Sequence, residues 1–123
     1  MISMREAYEK IGADYDGASV RLMGEEMLAR FALKFLDDES MDKFEAAMAA
    51  GDAESAFMAV HTLKGVSANL GFEQLRQSAS ALTEFLRGKA EPVPAEAHPL
   101  MEQVRRDYQM TVDAIRAYRA ERF

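Results

Sequence analysis

Apolar residues recur along this chain at steps of three and four, the repeat of one helical face, and glycine or proline closes most of the runs. Ser3 to Ile11 predicts a short helix, after which Gly12, Asp14, Asp16 and Gly17 break the pattern as a turn, and Ala18 to Met23 predicts a second short piece. Gly24-Glu25-Glu26 reads as a helix start. Met27, Leu28, Phe31, Phe35 and Leu36 follow as an amphipathic stripe that stops near Asp37. Asp38-Glu39-Ser40 supplies acidic and capping residues for a helix carrying Met41, Phe44 and Met48, with Gly51 as its stop and Asp52 as the cap of the next.

The next helix runs from Asp52 to Leu70 and ends at Gly71, a residue suited to a left-handed close. On its wheel Ala56, Ala59, Val60, Leu63, Val66, Ser67 and Leu70 share one arc, the expected buried face. His61 points away from that arc, with Phe57, Lys64, Gly65 and Ala68 around it. After a tight hairpin, Phe72, Leu75, Ala79, Leu82 and Leu86 form the seam of an antiparallel partner helix. Residues 89–99 hold Pro92, Pro94 and Pro99 and read as a loop. Met101, Val104, Tyr108, Val112, Ile115 and Tyr118 then stripe a final helix that frays after Ala120.

These elements predict an all-α fold: an antiparallel four-helix bundle with short additional N-terminal helices, in a single domain over residues 1–123. Residues 24–51 supply the first bundle helices, 52–88 the histidine helix and its hairpin partner, 89–99 the Pro-rich loop and 100–121 the C-terminal helix. No repeat or low-complexity tract is present, and the heptad-like runs are too short for an extended coiled coil. Because the chain starts at Met1 and stops soon after its last helical pattern, it reads as a complete small protein.

Composition narrows the function. The net charge of −6, from 21 acidic and 15 basic residues, has the wrong sign for holding a nucleic-acid backbone. The chain has no cysteine, so disulfides, thiol catalysis and Cys-based zinc sites are excluded. Met1 to Lys10 has no long apolar run and carries Glu6 and Glu9, so neither a signal peptide nor a membrane anchor is expected and the protein reads as cytoplasmic. No glycine-rich phosphate loop or kinase ATP motif is present.

The chemistry centres on His61. A neutral imidazole carries a free lone pair, and Lys64, one turn on, places an ammonium beside it where it can attract a phosphoryl group. Gly65 gives up about 1 kcal/mol of helix propensity relative to alanine, a sacrifice that close approach of another macromolecule explains. Phe57 and Ala68 would form a small apolar rim for docking, with Met58 at its edge; Phe57 packed beneath a neighbouring helix is the competing reading.

The run from His61 to Gly71, H-T-L-K-G-V-S-A-N-L-G, resembles the signature of histidine-containing phosphotransfer (HPt) domains of two-component phosphorelays. That resemblance implies a four-helix bundle whose exposed histidine takes a phosphoryl group from a phospho-aspartate on a response-regulator receiver domain and passes it to another receiver. His61 would be the phosphorylated nucleophile, Lys64 the cation beside it and Gly65 the small residue that admits the partner. The domain would be a phosphoryl carrier and not an enzyme, with no cofactor of its own, the Mg²⁺ belonging to the receiver. Its expected partners are receiver domains and a hybrid sensor kinase, with no nucleic acid and no membrane, and it would act as a monomer. Family members often carry Gln or Glu where this chain has Thr83, a side chain that orients the histidine ring. Thr83 is shorter, and Ser80 and Glu84 are the substitutes on nearby turns. Ser67 and Asn69 match the motif and read as structural.

Two other classes compete. A non-catalytic helical module would dock a receiver or another signalling partner through the same face without chemistry. A phosphohistidine phosphatase would need a general acid or metal site, and no cluster at metal-ligand spacing accompanies His61 or His98. His98, in the Pro-rich stretch, reads as a solvated or helix-start residue.

Overall fold

The computed structural model describes residues 1–122. Seven α-helices account for the fold: α1 (Met4–Lys10), α2 (Tyr15–Arg21), α3 (Glu25–Lys34), α4 (Ser40–Ala49), α5 (Ala53–Leu70), α6 (Glu73–Leu86) and α7 (Ala97–Ala120). A 3₁₀ turn, Phe35–Asp37, extends α3, and no strand occurs among the described residues. Helices α4, α5 and α6 pack in succession through short connections, and α7 returns along α6. The Arg105 guanidinium on α7 reaches α4 with two 2.8 Å hydrogen bonds to the Glu45 carboxylate. The all-α bundle with short N-terminal helices is therefore what the chain forms.

Helix α5 begins where its sequence says it should. The Asp52 carboxylate accepts from the Ser55 amide at 3.0 Å and from the Ser55 hydroxyl at 2.6 Å, and these bonds hold its pKa below the usual carboxylate range. Its buried face is Ala53, Ala56, Val60, Leu63, Ser67 and Leu70, with Ala59 and Val66 half-buried beside them. The seam of α6 is equally legible, since Phe72, Leu75, Ala79, Leu82 and Leu86 are all buried.

The carboxyl end of α5 is where the two N-terminal helices act. The last carbonyls of a helix lack intrahelical partners and need donors from elsewhere. Here the Phe72 amide donates to the Ser67 carbonyl. The Arg21 guanidinium donates to those of Ala68 and Asn69 at 3.0 and 3.1 Å. The buried Tyr8 hydroxyl donates to that of Leu70 at 2.7 Å, and the Asp14 amide to that of Gly71 at 2.8 Å. A positive charge at a helix C-terminus also opposes the helix dipole favourably. Around this junction Tyr15, Tyr8, Phe72, Phe35 and Tyr108 form a chain of aromatic contacts with centroids 5.1–5.9 Å apart. It ties α1 and α2 to the 3₁₀ turn and α7.

Two boundaries and one side chain differ from the sequence expectation. Helix α2 starts at Tyr15 and not Ala18, because the Asp14 side chain caps it by accepting from the Gly17 amide at 3.0 Å, which draws Asp16 and Gly17 into the first turn. Helix α7 starts at Ala97, so His98 and Pro99 belong to its first turn and the loop is shorter than 89–99. A proline is tolerated there since its missing N–H would have had no helical partner. Phe31 leaves the expected apolar stripe of α3: it is 37% exposed, with the Lys34 ammonium 5.9 Å from its ring centre.

Candidate functional site

The outward face of α5 carries the candidate chemistry. His61 is exposed near the middle of the helix. Its ring lies nearly parallel to that of Phe57, one turn earlier, with centroids 5.8 Å apart and 9° between planes. Lys64 is half-buried one turn further on, and Ala68, also half-buried, follows Gly65. A Cβ placed on Gly65 would meet nothing within 4 Å, so this glycine fronts open space. The structure therefore brings His61, Lys64, Gly65, Phe57 and Ala68 together on one ridge.

Two shallow grooves run along one side of that ridge, toward α3 and α4. One, of about 650 Å³ between α4 and α5, is lined by Ala47, Ala59, Thr62 and Met58, the last 57% exposed. The other, of about 290 Å³, lies between α5 and the end of α3 and includes Phe31, Val66 and Asn69. Phe57 packs partly against the core, in line with the competing reading, and its ring also meets that of the histidine.

Thr83 does not orient the ring. It is fully buried, and its hydroxyl donates to the Ala79 carbonyl at 2.6 Å. Its place on the wheel carried this signal, being four residues after Ala79 and three before Leu86, both seam positions. Of the two substitutes, Ser80 is half-buried and Glu84 is exposed. The Glu84 carboxylate is taken by Arg87, which donates to it at 3.0 and 3.2 Å. Arg87 holds that carboxyl below the usual range, with smaller contributions from Lys64 and His61 across the hairpin.

Arg87 is the residue that sequence reading missed. Its guanidinium, at the C-cap of α6, lies 5.1 Å from the ring centre of Phe57, the residue that meets the histidine. Nothing local in the sequence announces this, because the register of α6 against α5 decides it. Lys64 supplies a positive charge on this face, while the charge of Arg87 is paired with Glu84. His98 is exposed at the start of α7, and Ser67 is buried on the inner arc of α5. Among the described residues no cluster of three or more His, Asp or Glu side chains is placed to hold a metal ion. No helix among the described residues is long and apolar enough to cross a membrane.

An exposed imidazole with a neighbouring ammonium and a clear approach is suited to accept a transferable electrophile from a macromolecular donor. A family profile described as Hpt domain matches residues 26–118, from the first turn of α3 almost to the end of α7. No curated protein and no solved structure matches the chain. With most of its length covered, the histidine helix included, the chain belongs to the Hpt domain family.

Proposed function

We propose that His61 accepts a phosphoryl group from a receiver-domain phospho-aspartate and passes it to the aspartate of another receiver. Hpt domains are phosphocarrier modules of two-component phosphorelays and interact with receiver domains; the residue used and the direction of transfer are the proposal. The observation that carries it is the conjunction on α5 of an exposed histidine, an adjacent lysine and a glycine facing open space.

In the forward step the lone pair of the distal imidazole nitrogen, Nε2, attacks phosphorus in line. The N–P bond forms as the bond from phosphorus to the aspartyl oxygen breaks, and the carboxylate leaves with that electron pair. The Nδ1 proton stays on the ring or is released to water. Lys64 opposes the phosphoryl charge, while the receiver supplies the acidic pocket and Mg²⁺. The domain contributes a nucleophile, a position and a charge, and acts as a carrier with no ATP chemistry of its own.

The test is incubation with a phosphorylated receiver and Mg²⁺. The chain should gain phosphate that is acid-labile and base-stable, and should lose it to a second, unphosphorylated receiver. Absence of label across a panel of receivers would sink the proposal. Lys64→Ala should slow transfer by about tenfold with folding intact, and an unchanged rate would remove Lys64 from the step.

Gly65 separates stability from function. Gly65→Ala should stabilise the domain by about 0.5–1 kcal/mol, since a Cβ enters open space and helix propensity rises. Gly65→Gln should fold equally well yet slow transfer by roughly 10- to 100-fold, because its side chain occupies the line of approach. Thermal unfolding and rapid-quench transfer on the two variants check this; a Gly65→Gln protein with native rates would show that the partner does not pass over residue 65.

A further inference from the structure

We infer that Phe57 is a positioning residue for the His61 imidazole and that Arg87 steadies Phe57 from the C-cap of α6. The inference rests on the reading of His61 as the phosphorylated residue. In-line attack requires the Nε2 lone pair to point at phosphorus, so the plane of the ring matters as much as its exposure. A histidine on an open helix face turns about two side-chain torsions unless something holds it.

Three of the polar groups nearby are engaged elsewhere. Thr83 donates to the Ala79 carbonyl, Thr62 donates to the Met58 carbonyl at 3.0 Å, and Glu84 accepts from Arg87. What the ring does have is Phe57, four residues earlier on the same face and within 9° of parallel. Phe57 is half-buried against the core, so it is stiffer than the histidine it meets. Arg87, itself tied to Glu84, contacts the Phe57 ring from the neighbouring helix. Stacking has a chemical advantage over a hydrogen bond in this role, because it fixes the ring plane while occupying neither in-plane nitrogen. Thr83, to which the resemblance assigns the orienting role, is buried and bonded to its own helix, and the Phe57 and Arg87 pair supplies an aromatic alternative.

The experiment compares wild type, Phe57→Leu, Phe57→Tyr, Arg87→Gln and His61→Gln, with kcat and KM for transfer from a phosphorylated receiver measured separately. The His61 ring-proton shifts are recorded by NMR on the unphosphorylated chain. Phe57→Leu should lower kcat by about two- to tenfold with KM within about twofold, and should shift the His61 ring protons as the ring current of Phe57 disappears. Phe57→Tyr should restore both, and Arg87→Gln should shift both in the same direction by less. A Phe57→Leu protein whose KM alone rises, with kcat and ring shifts unchanged, would make Phe57 a docking residue and overturn the inference. If circular dichroism shows Phe57→Leu to be misfolded, Arg87→Gln decides: kcat and ring shifts equal to wild type overturn it. Failure of the underlying reading looks different, because wild type would then take no label or His61→Gln would take as much.

Discussion

His61→Gln should reduce phosphoryl transfer from a phosphorylated receiver by at least about 10⁴-fold, to the limit of detection. A carboxamide nitrogen has its lone pair delocalised into the carbonyl and is no nucleophile, whereas glutamine keeps the approximate reach and polarity of histidine. The side chain is exposed and its main recorded contact is the Phe57 ring, so stability should stay within about 0.5 kcal/mol of wild type. Binding to the receiver should persist, since the grooves around Met58 and Phe31 are untouched. Label chemistry, thermal unfolding and receiver titration on the same preparation check all three. Retained binding with lost transfer is the expected pattern. A docking module without chemistry would leave signalling intact in this variant, and undiminished acid-labile label would place the phosphate on another residue.

Gly71→Ala should destabilise the domain by about 3 kcal/mol, enough to lower Tm by roughly 10 °C. Two costs combine at this position. The backbone is left-handed, with φ of 75°, and a Cβ would lie 2.5 Å from the Asp14 carbonyl oxygen and 3.1 Å from the Ala18 Cβ. The first of these is main chain held in the α2 cap, so relief requires α2 to move. Moving it strains the Tyr8 and Arg21 hydrogen bonds that close α5. Gly71→Asn separates the two costs, because asparagine accepts the left-handed backbone but still carries a Cβ. Gly71→Asn should lose less than Gly71→Ala, by the share of the left-handed backbone, and still fall clearly below wild type in thermal and urea unfolding. Native-like stability of Gly71→Asn would mean that the close approach to Asp14 is unimportant. Folded protein of either variant should still accept phosphate, because His61 lies ten residues upstream, about 15 Å along the helix.

The helices were legible because their signals are local. Asp52 and Gly71 bound α5, and the wheel between them separated a buried arc from an outward face that the fold reproduces. His61, Lys64 and Gly65 could be placed together from spacing alone, since a helix fixes its own surface neighbours. Local reading failed where it gave a chemical preference too much weight. Asp16 and Gly17 resemble turn residues, yet one cap at Asp14 draws them into α2. Pro99 resembles a helix stop but sits where a helix accepts proline. Thr83 was given a role by resemblance, although its wheel position beside Leu82 and Leu86 already placed it in the seam.

By itself, then, the sequence determined the number and faces of the main helices, the display of His61 and the family to which the chain belongs. These follow from the 3.6-residue repeat and from a contiguous motif, both carried within a few turns of chain. Only the tertiary structure decided that Arg87, at the C-cap of α6, meets Phe57 of α5. It also decided that α1 and α2, which lie outside the matched residues, satisfy the last carbonyls of the histidine helix. Those contacts join residues some 30 to 60 positions apart. Their existence depends on the register and rotation of packed helices, which no local periodicity specifies.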